Sequence, residues 1–430
     1  MKFKQKYLGY YLPGDLIVRL NCNSEDVCVK NTSQINEKVL FNSRTLRHEL
    51  HHYTTMTGTG WGAVFTRYMR SWVTVGFHTL VNEIIPYFKN KNKLIPFPII
   101  KYMKVTDNKE DKDFLAKTLF QFILNTQSLY LENGMINSFN GIHLPIIKKG
   151  NDAFAYGNRD IIECIARLED RLWLKDYNYE KYPFQKDYDL IFAYNMVELG
   201  LTHPLYTLFA CDIALNNPYP LKPGDKLESL DDRFPPFRLC DIMQFLVDLK
   251  SENKLMKLPD GIKGLKRSEI DKYFIDFQNL ICEKFKWKTP IQILKNYLIS
   301  DQWKLQGVRK EHLETAIELR EEHPSIYAYH YLEDVTNNFS LKIQPNAYVF
   351  NDGVLTTLTD PETITYENIF RARKAVVEQI ICERHPNVFE CPLCYRNLLF
   401  HKHTENCGGD IYFEQEGFNF NSFFNINSIN

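Results

Sequence analysis

Apolar residues along this chain recur mostly at helical spacing, broken by Pro-, Gly- and Asn-rich turns, with a few short strand-like runs between them. Near the start, Leu16-Ile17-Val18-Arg19-Leu20 predicts a buried strand and Glu37-Lys38-Val39-Leu40-Phe41 an edge strand. Asn42-Ser43 supplies N-cap chemistry, and Leu46, Leu50 and Tyr53 form the core-facing stripe of a helix over 44–57, ended by Thr57-Gly58-Thr59-Gly60. Helical spacing returns from Trp61 to Phe88 and, after a loop at Pro96 and Pro98, from Asp113 to Leu131. Ile142–Ile147 predicts a short strand, and Gly157-Asn158 caps a helix over 159–170. A helical pair over 188–216 surrounds Thr202-His203-Pro204, and Asn216-Asn217-Pro218-Tyr219-Pro220 and Pro235-Pro236 are interruptions. Helices dominate again over 237–335, strand and turn signals follow over 341–369 with Asn351-Asp352-Gly353, and a last helix over 366–383 leads into a cysteine cluster. The expected fold class is α+β, predominantly α-helical, with a small edge sheet. The expected domains are 1–220, a helical recognition or regulatory body over 221–385, and a small module over 386–430.

The helix over 44–57 carries His48-Glu49-x-x-His52, the H-E-x-x-H pattern. Residues four apart share a helix face, so both imidazoles can converge on one metal ion while Glu49, one position on, remains free to polarise a water. His51 points about 100 degrees away from His52 and is expected behind the ligands or on the surface. Two histidines are one ligand short of a catalytic zinc site, which uses three protein ligands and keeps a position for water. A His six residues beyond His52 is absent, because Gly58 stands there, so H-E-x-x-H-x-x-G-x-x-H is excluded. His78 on the following helix and Glu163 both remain as third-ligand candidates.

The H-E-x-x-H helix resembles that of the zincin metallopeptidases, specifically the gluzincin group. Ile161-Ile162-Glu163-Cys164-Ile165-Ala166 resembles the E-G-x-A helix that carries the third ligand in many gluzincins, with Cys164 where Gly is usual. The resemblance implies a zincin-like core in residues 1–220, Zn²⁺ held by His48, His52 and Glu163, and Glu49 as general base for hydrolysis of a protein or peptide substrate. It also implies an oxyanion-stabilising Tyr or His, for which Tyr156 and His203 are candidates, and carboxylates that orient the imidazoles, for which Glu169 and Asp170 are available.

In the C-terminal cluster, Cys391-Pro-Leu-Cys394 begins C-x2-C-x8-H-x3-C, completed by His403 and Cys407, with His401 as an alternative to His403. A tight turn brings the first two thiolates onto one ion, and four such ligands close a structural zinc site. The expected cofactors are therefore two Zn²⁺ ions, one catalytic and one structural. A zinc module joined to an H-E-x-x-H helix also resembles the SprT-like proteases that digest DNA-crosslinked proteins. Nucleic acid is not the favoured partner here, since Arg396, His401 and Lys402 are modestly basic and Asp410, Glu414 and Glu416 follow.

Bulk composition narrows this further. The 430 residues carry 52 basic and 53 acidic side chains, so nothing global points to nucleic acid or an anionic membrane. No run of about 18 apolar residues spans a bilayer, and Pro13, Gly14 and Asp15 interrupt the basic start, so no membrane segment or secretory signal is expected. Ten scattered cysteines suit a reducing compartment, and the expected location is cytoplasmic. Besides peptide hydrolysis, the same residues admit a non-catalytic zinc-binding scaffold or hydrolysis of a non-peptide substrate.

Overall fold

The computed structural model describes residues 9–12, 16–24, 44–63, 66, 70, 146–149, 152–155, 157–173, 191–192, 194–195, 199–216, 235–259, 265–299, 310–325, 345–356 and 370. Among them the fold is α+β and mostly helical, as the apolar spacing predicts. Two units divide the chain: Met1–Arg67 with Phe139–Thr357, and Tyr68–Ser138 with Leu358–Asn430. In the second unit, the guanidinium of Arg70 lies 4.4 Å from the centroid of the Phe370 ring.

A four-stranded mixed sheet runs β1 (Gly9–Leu12), β2 (Ile17–Leu20), β5 (Ala347–Phe350), β6 (Gly353–Thr356) in spatial order. β1 and β2 pair antiparallel, β2 and β5 parallel, and β5 and β6 antiparallel. β2 is buried at every position, Arg19 included, which suits a strand flanked on both edges. The Asn351-Asp352 turn is pinned to the other end of the chain. The Asp352 carboxylate accepts from the Ser24 N–H at 2.8 Å and the Ser24 hydroxyl at 2.7 Å, and the Asn351 N–H donates to Cys22 O. Residues 347–356, placed in the helical body by sequence order, thus belong to the sheet that begins at Gly9. A separate hairpin joins β3 (Ile146–Lys149) to β4 (Asp152–Ala155). The strand expected over 142–147 overlaps β3 at Ile146 and Ile147, and β3 pairs with β4; residues 142–145 lie outside the described residues.

Helix α1 (Arg44–Gly58) packs on β1 and β2, and Tyr53 meets Tyr11 edge-on at 5.7 Å between ring centroids. Gly9 permits this closeness: a Cβ there would stand 2.7 Å from the Thr45 side chain and 2.8 Å from Arg19 O. Three threonines in the second half of α1 and just past its end are buried with their hydroxyls satisfied. Thr54 donates to Leu50 O, Thr57 to Tyr53 O and Thr59 to Thr55 O, all within 3 Å.

Helix α2 (Asn158–Trp173) packs against α1. The Gly157 N–H donates to Asp160 Oδ2 at 2.7 Å, half of a capping box at the predicted start. Helix α3 (Pro204–Leu215) is apolar around nearly its whole circumference and accordingly buried, packed by α2, α4 (Pro235–Ser251) and α5 (Arg267–Phe285). Pro235-Pro236 opens α4 rather than interrupting the chain, because proline at the first helical turn gives up an N–H that has no helical partner there. Helices α6 (Pro290–Ile299) and α7 (Lys310–Glu322) pack together, and α7 also reaches α1. No described helix is long and apolar enough to cross a membrane.

Candidate metal centre

The packing of α1 on α2 brings together what helical spacing alone leaves apart. His48 and His52, one turn apart on α1, lie with ring centroids 4.6 Å apart at 84°. His48 Nε2 stands 3.2 Å, and His52 Nε2 3.3 Å, from the same oxygen of Glu163 on α2. One ligand atom from each residue falls within 4.8 Å of the others. A tetrahedral ion with bonds of about 2.0–2.2 Å holds its ligand atoms about 3.3–3.6 Å apart, so the two histidine–glutamate separations match a shared ion closely. Two imidazoles and one carboxylate form a donor set for a divalent metal ion.

The electrostatics suit a cation too. Burial alone would push the Glu163 carboxyl up, but the adjacent His52 and His48 outweigh it and hold the group well below the usual carboxylate range. An ionised oxygen therefore faces the two rings, with only 14% of its side chain exposed. Glu49, on the same helix, is buried. His51 is buried as well, not on the surface, and contacts Glu169 of α2 as a second tie between the same two helices. Glu169, expected to orient a ligand, is thus engaged with His51. Asp170 lies in α2, with its side chain outside the described residues.

The other expected site residues fall elsewhere. His203 is the N-cap of α3: its Nδ1 accepts the Leu205 N–H at 3.2 Å and its ring meets Tyr206. Burial pulls its pKa down, partly offset by a hydrogen bond to the Pro259 backbone. Tyr156, His78, His401, Cys391, Cys394, His403 and Cys407 lie outside the described residues. The structure also reveals polar residues that sequence reasoning passed over: Asp212 and Asn216 on or beside α3, Arg238 on α4 and Arg320 on α7, all buried. A lone Asp inside Leu-Phe-Ala-Cys-Asp-Ile-Ala-Leu was the available signal, since a carboxylate in an apolar helix needs a cationic partner.

Comparison of the chain with protein-family models, with curated proteins and with solved structures finds no match in any of the three.

Proposed function

We propose that this chain is a zinc-dependent peptidase with a zincin-like core. The observation that carries the reading is the convergence of His48, His52 and Glu163, with Glu49 between the two histidines on one buried helix. His48, His52 and Glu163 would hold the ion, leaving a fourth position for water or substrate. Zinc, when bound, supplies Lewis-acid activation of that water and of the scissile carbonyl. Glu49 accepts the proton of the attacking water as its oxygen bonds to the carbonyl carbon, and delivers it to the amine as the carbon–nitrogen bond breaks. Tyr156 and His203 stay as candidate oxyanion donors. The buried position and backbone partners of His203 at the α3 cap favour a structural role for it.

The proposal extends to a second, structural zinc on Cys391, Cys394, His403 and Cys407, from their spacing alone. The substrate class is protein or peptide, and the compartment a reducing one such as the cytoplasm. The thiols of Cys164, Cys211 and Cys282, none of them in a disulfide, support the latter.

Glu49→Gln tests the core of this reading. The variant should retain wild-type zinc content while proteolysis of a denatured protein substrate falls by about 10²-fold or more, the scale of a lost general base. His52→Ala should lose one zinc equivalent, and so should Cys391→Ser at the other site. A zinc-loaded Glu49→Gln protein with undiminished activity would remove peptidase chemistry from this helix and leave a metal-binding scaffold.

A further inference from the structure

We infer that Arg320 and Asp212 form a buried clamp that holds α1 where His48 and His52 meet Glu163, making both of them positioning residues for metal binding. The inference rests on the metal-site reading above. Arg320 Nε donates to Gly58 O, the last residue of α1, at 2.8 Å. The same guanidinium grips the Asp212 carboxylate of α3 through two bonds, at 3.1 and 2.6 Å, and donates to Pro324 O at 3.0 Å. Asn216, at the C-cap of α3, donates to Asp212 and accepts the Gly60 N–H at 3.0 Å, just past the end of α1. The end of the metal-binding helix is therefore held at two backbone points from one direction. A guanidinium also complements the partial negative charge of a helix C-terminus.

The same anchor reaches the third ligand. Asp212 lies on α3, which packs directly against α2, the helix that carries Glu163. A closed path thus runs from Glu163 through the α2–α3 contact to Asp212, Arg320 and Gly58 and back along α1 to His52. Gly58 lies six residues beyond His52, a rise of about 9 Å along the helix. A shift at the clamp is therefore carried to the imidazoles. Buried ion pairs commonly add little net stability over apolar residues of similar size, so placement is the better account of a pair this deep, with exposures of 1% and 0%.

The experiment uses the full chain and Zn²⁺ alone, with affinity read by competition against a chromophoric chelator. His52→Ala defines which zinc belongs to this site. In the double variant Arg320→Met, Asp212→Leu, both charges leave together and no unpaired one stays buried. It should keep wild-type helical content but melt lower without metal, since the Gly58 and Pro324 carbonyls lose their donor, and, at a temperature where it is folded, bind the His52-dependent zinc about 10–100-fold more weakly, the usual cost of losing outer support for metal ligands. Arg320→Lys keeps a charge beside Asp212 but loses the Nε donor to Gly58 O and the planar fork. It should weaken the same zinc, and it decides the matter if the double variant does not fold. Wild-type zinc affinity in a folded double variant, or in Arg320→Lys, overturns the clamp while leaving the metal site standing. Absence of any His52-dependent zinc in the wild type overturns the metal reading, and the clamp with it.

Discussion

Glu163 and Glu169 sit six residues apart on α2 and face two different histidine sets on α1, which separates the candidate ligand from a structural pair. Glu163 is shared between His48 and His52 at distances that suit a common ion, whereas Glu169 meets His51 in a nearly solvent-free contact. Removing one partner of such a buried pair leaves the other without its charge complement, at about 3–5 kcal/mol. Glu169→Leu should therefore lower the unfolding free energy by about 3 kcal/mol or more in urea titrations while zinc stoichiometry stays unchanged. Glu163→Gln should remove the His52-dependent zinc in chelator competition, which Glu169→Leu should leave in place. Equal effects of the two variants on zinc would mean that α1 and α2 act as one undivided cluster.

At the scale of elements, the placement of α1 depends on what it touches at both ends. Its first turn is drawn close to β1 because Gly9 has no side chain, and its last carbonyl is taken by Arg320. Gly9→Ala forces either the Thr45 side chain or the backbone at Arg19 to move. It should destabilise the chain by about 1–3 kcal/mol, the usual penalty for an overpacked contact, read as a lower thermal midpoint. The neighbouring helix end follows the same rule. Arg238 donates to Ile213 O and Asn216 O at 3.2 Å each, so α3 also terminates on a buried arginine, which lies 3.6 Å from the Trp287 ring. Carbonyls at a buried helix end have no water to turn to, and a guanidinium with five donors can satisfy several at once.

These elements were legible to different degrees. The helix over 44–57 and the cap at Gly157 follow from local spacing and emerge nearly where expected. β5 and β6 carry strand and turn signals, but nothing local says that β5 joins β2 in parallel across more than three hundred residues. That pairing depends on which edge of β2 remains open once β1 has folded back on the other.

For the molecule as a whole, zinc bound to the folded site and not to the unfolded chain adds stability by mass action, about 2.7 kcal/mol at a free concentration one hundred times the dissociation constant. Chelation of the wild type should lower its melting midpoint. The part of that drop which disappears in His52→Ala measures the contribution of this site, and the part which disappears in Cys391→Ser measures the C-terminal one. A midpoint indifferent to chelator in both backgrounds would show that neither site binds the ion in the native state.

The sequence by itself determined His48, Glu49 and His52 as a set, because a four-residue interval is a property of one helix and needs no partner to be read. It also determined that this helix has an apolar face, through Leu46, Leu50 and Tyr53, all of them buried in the fold. Only the tertiary structure decided that Glu163, not merely a plausible carboxylate far along the chain, stands against both imidazoles. Only it decided that His51 is buried against Glu169, and that Asp212 and Arg320 meet at the end of α1. Each of these contacts joins residues distant in sequence, and their positions are set by which helix faces pack together. The spacing that places two imidazoles on one face is local chemistry. The carboxylate that meets them, and whatever holds them in line with it, are consequences of packing.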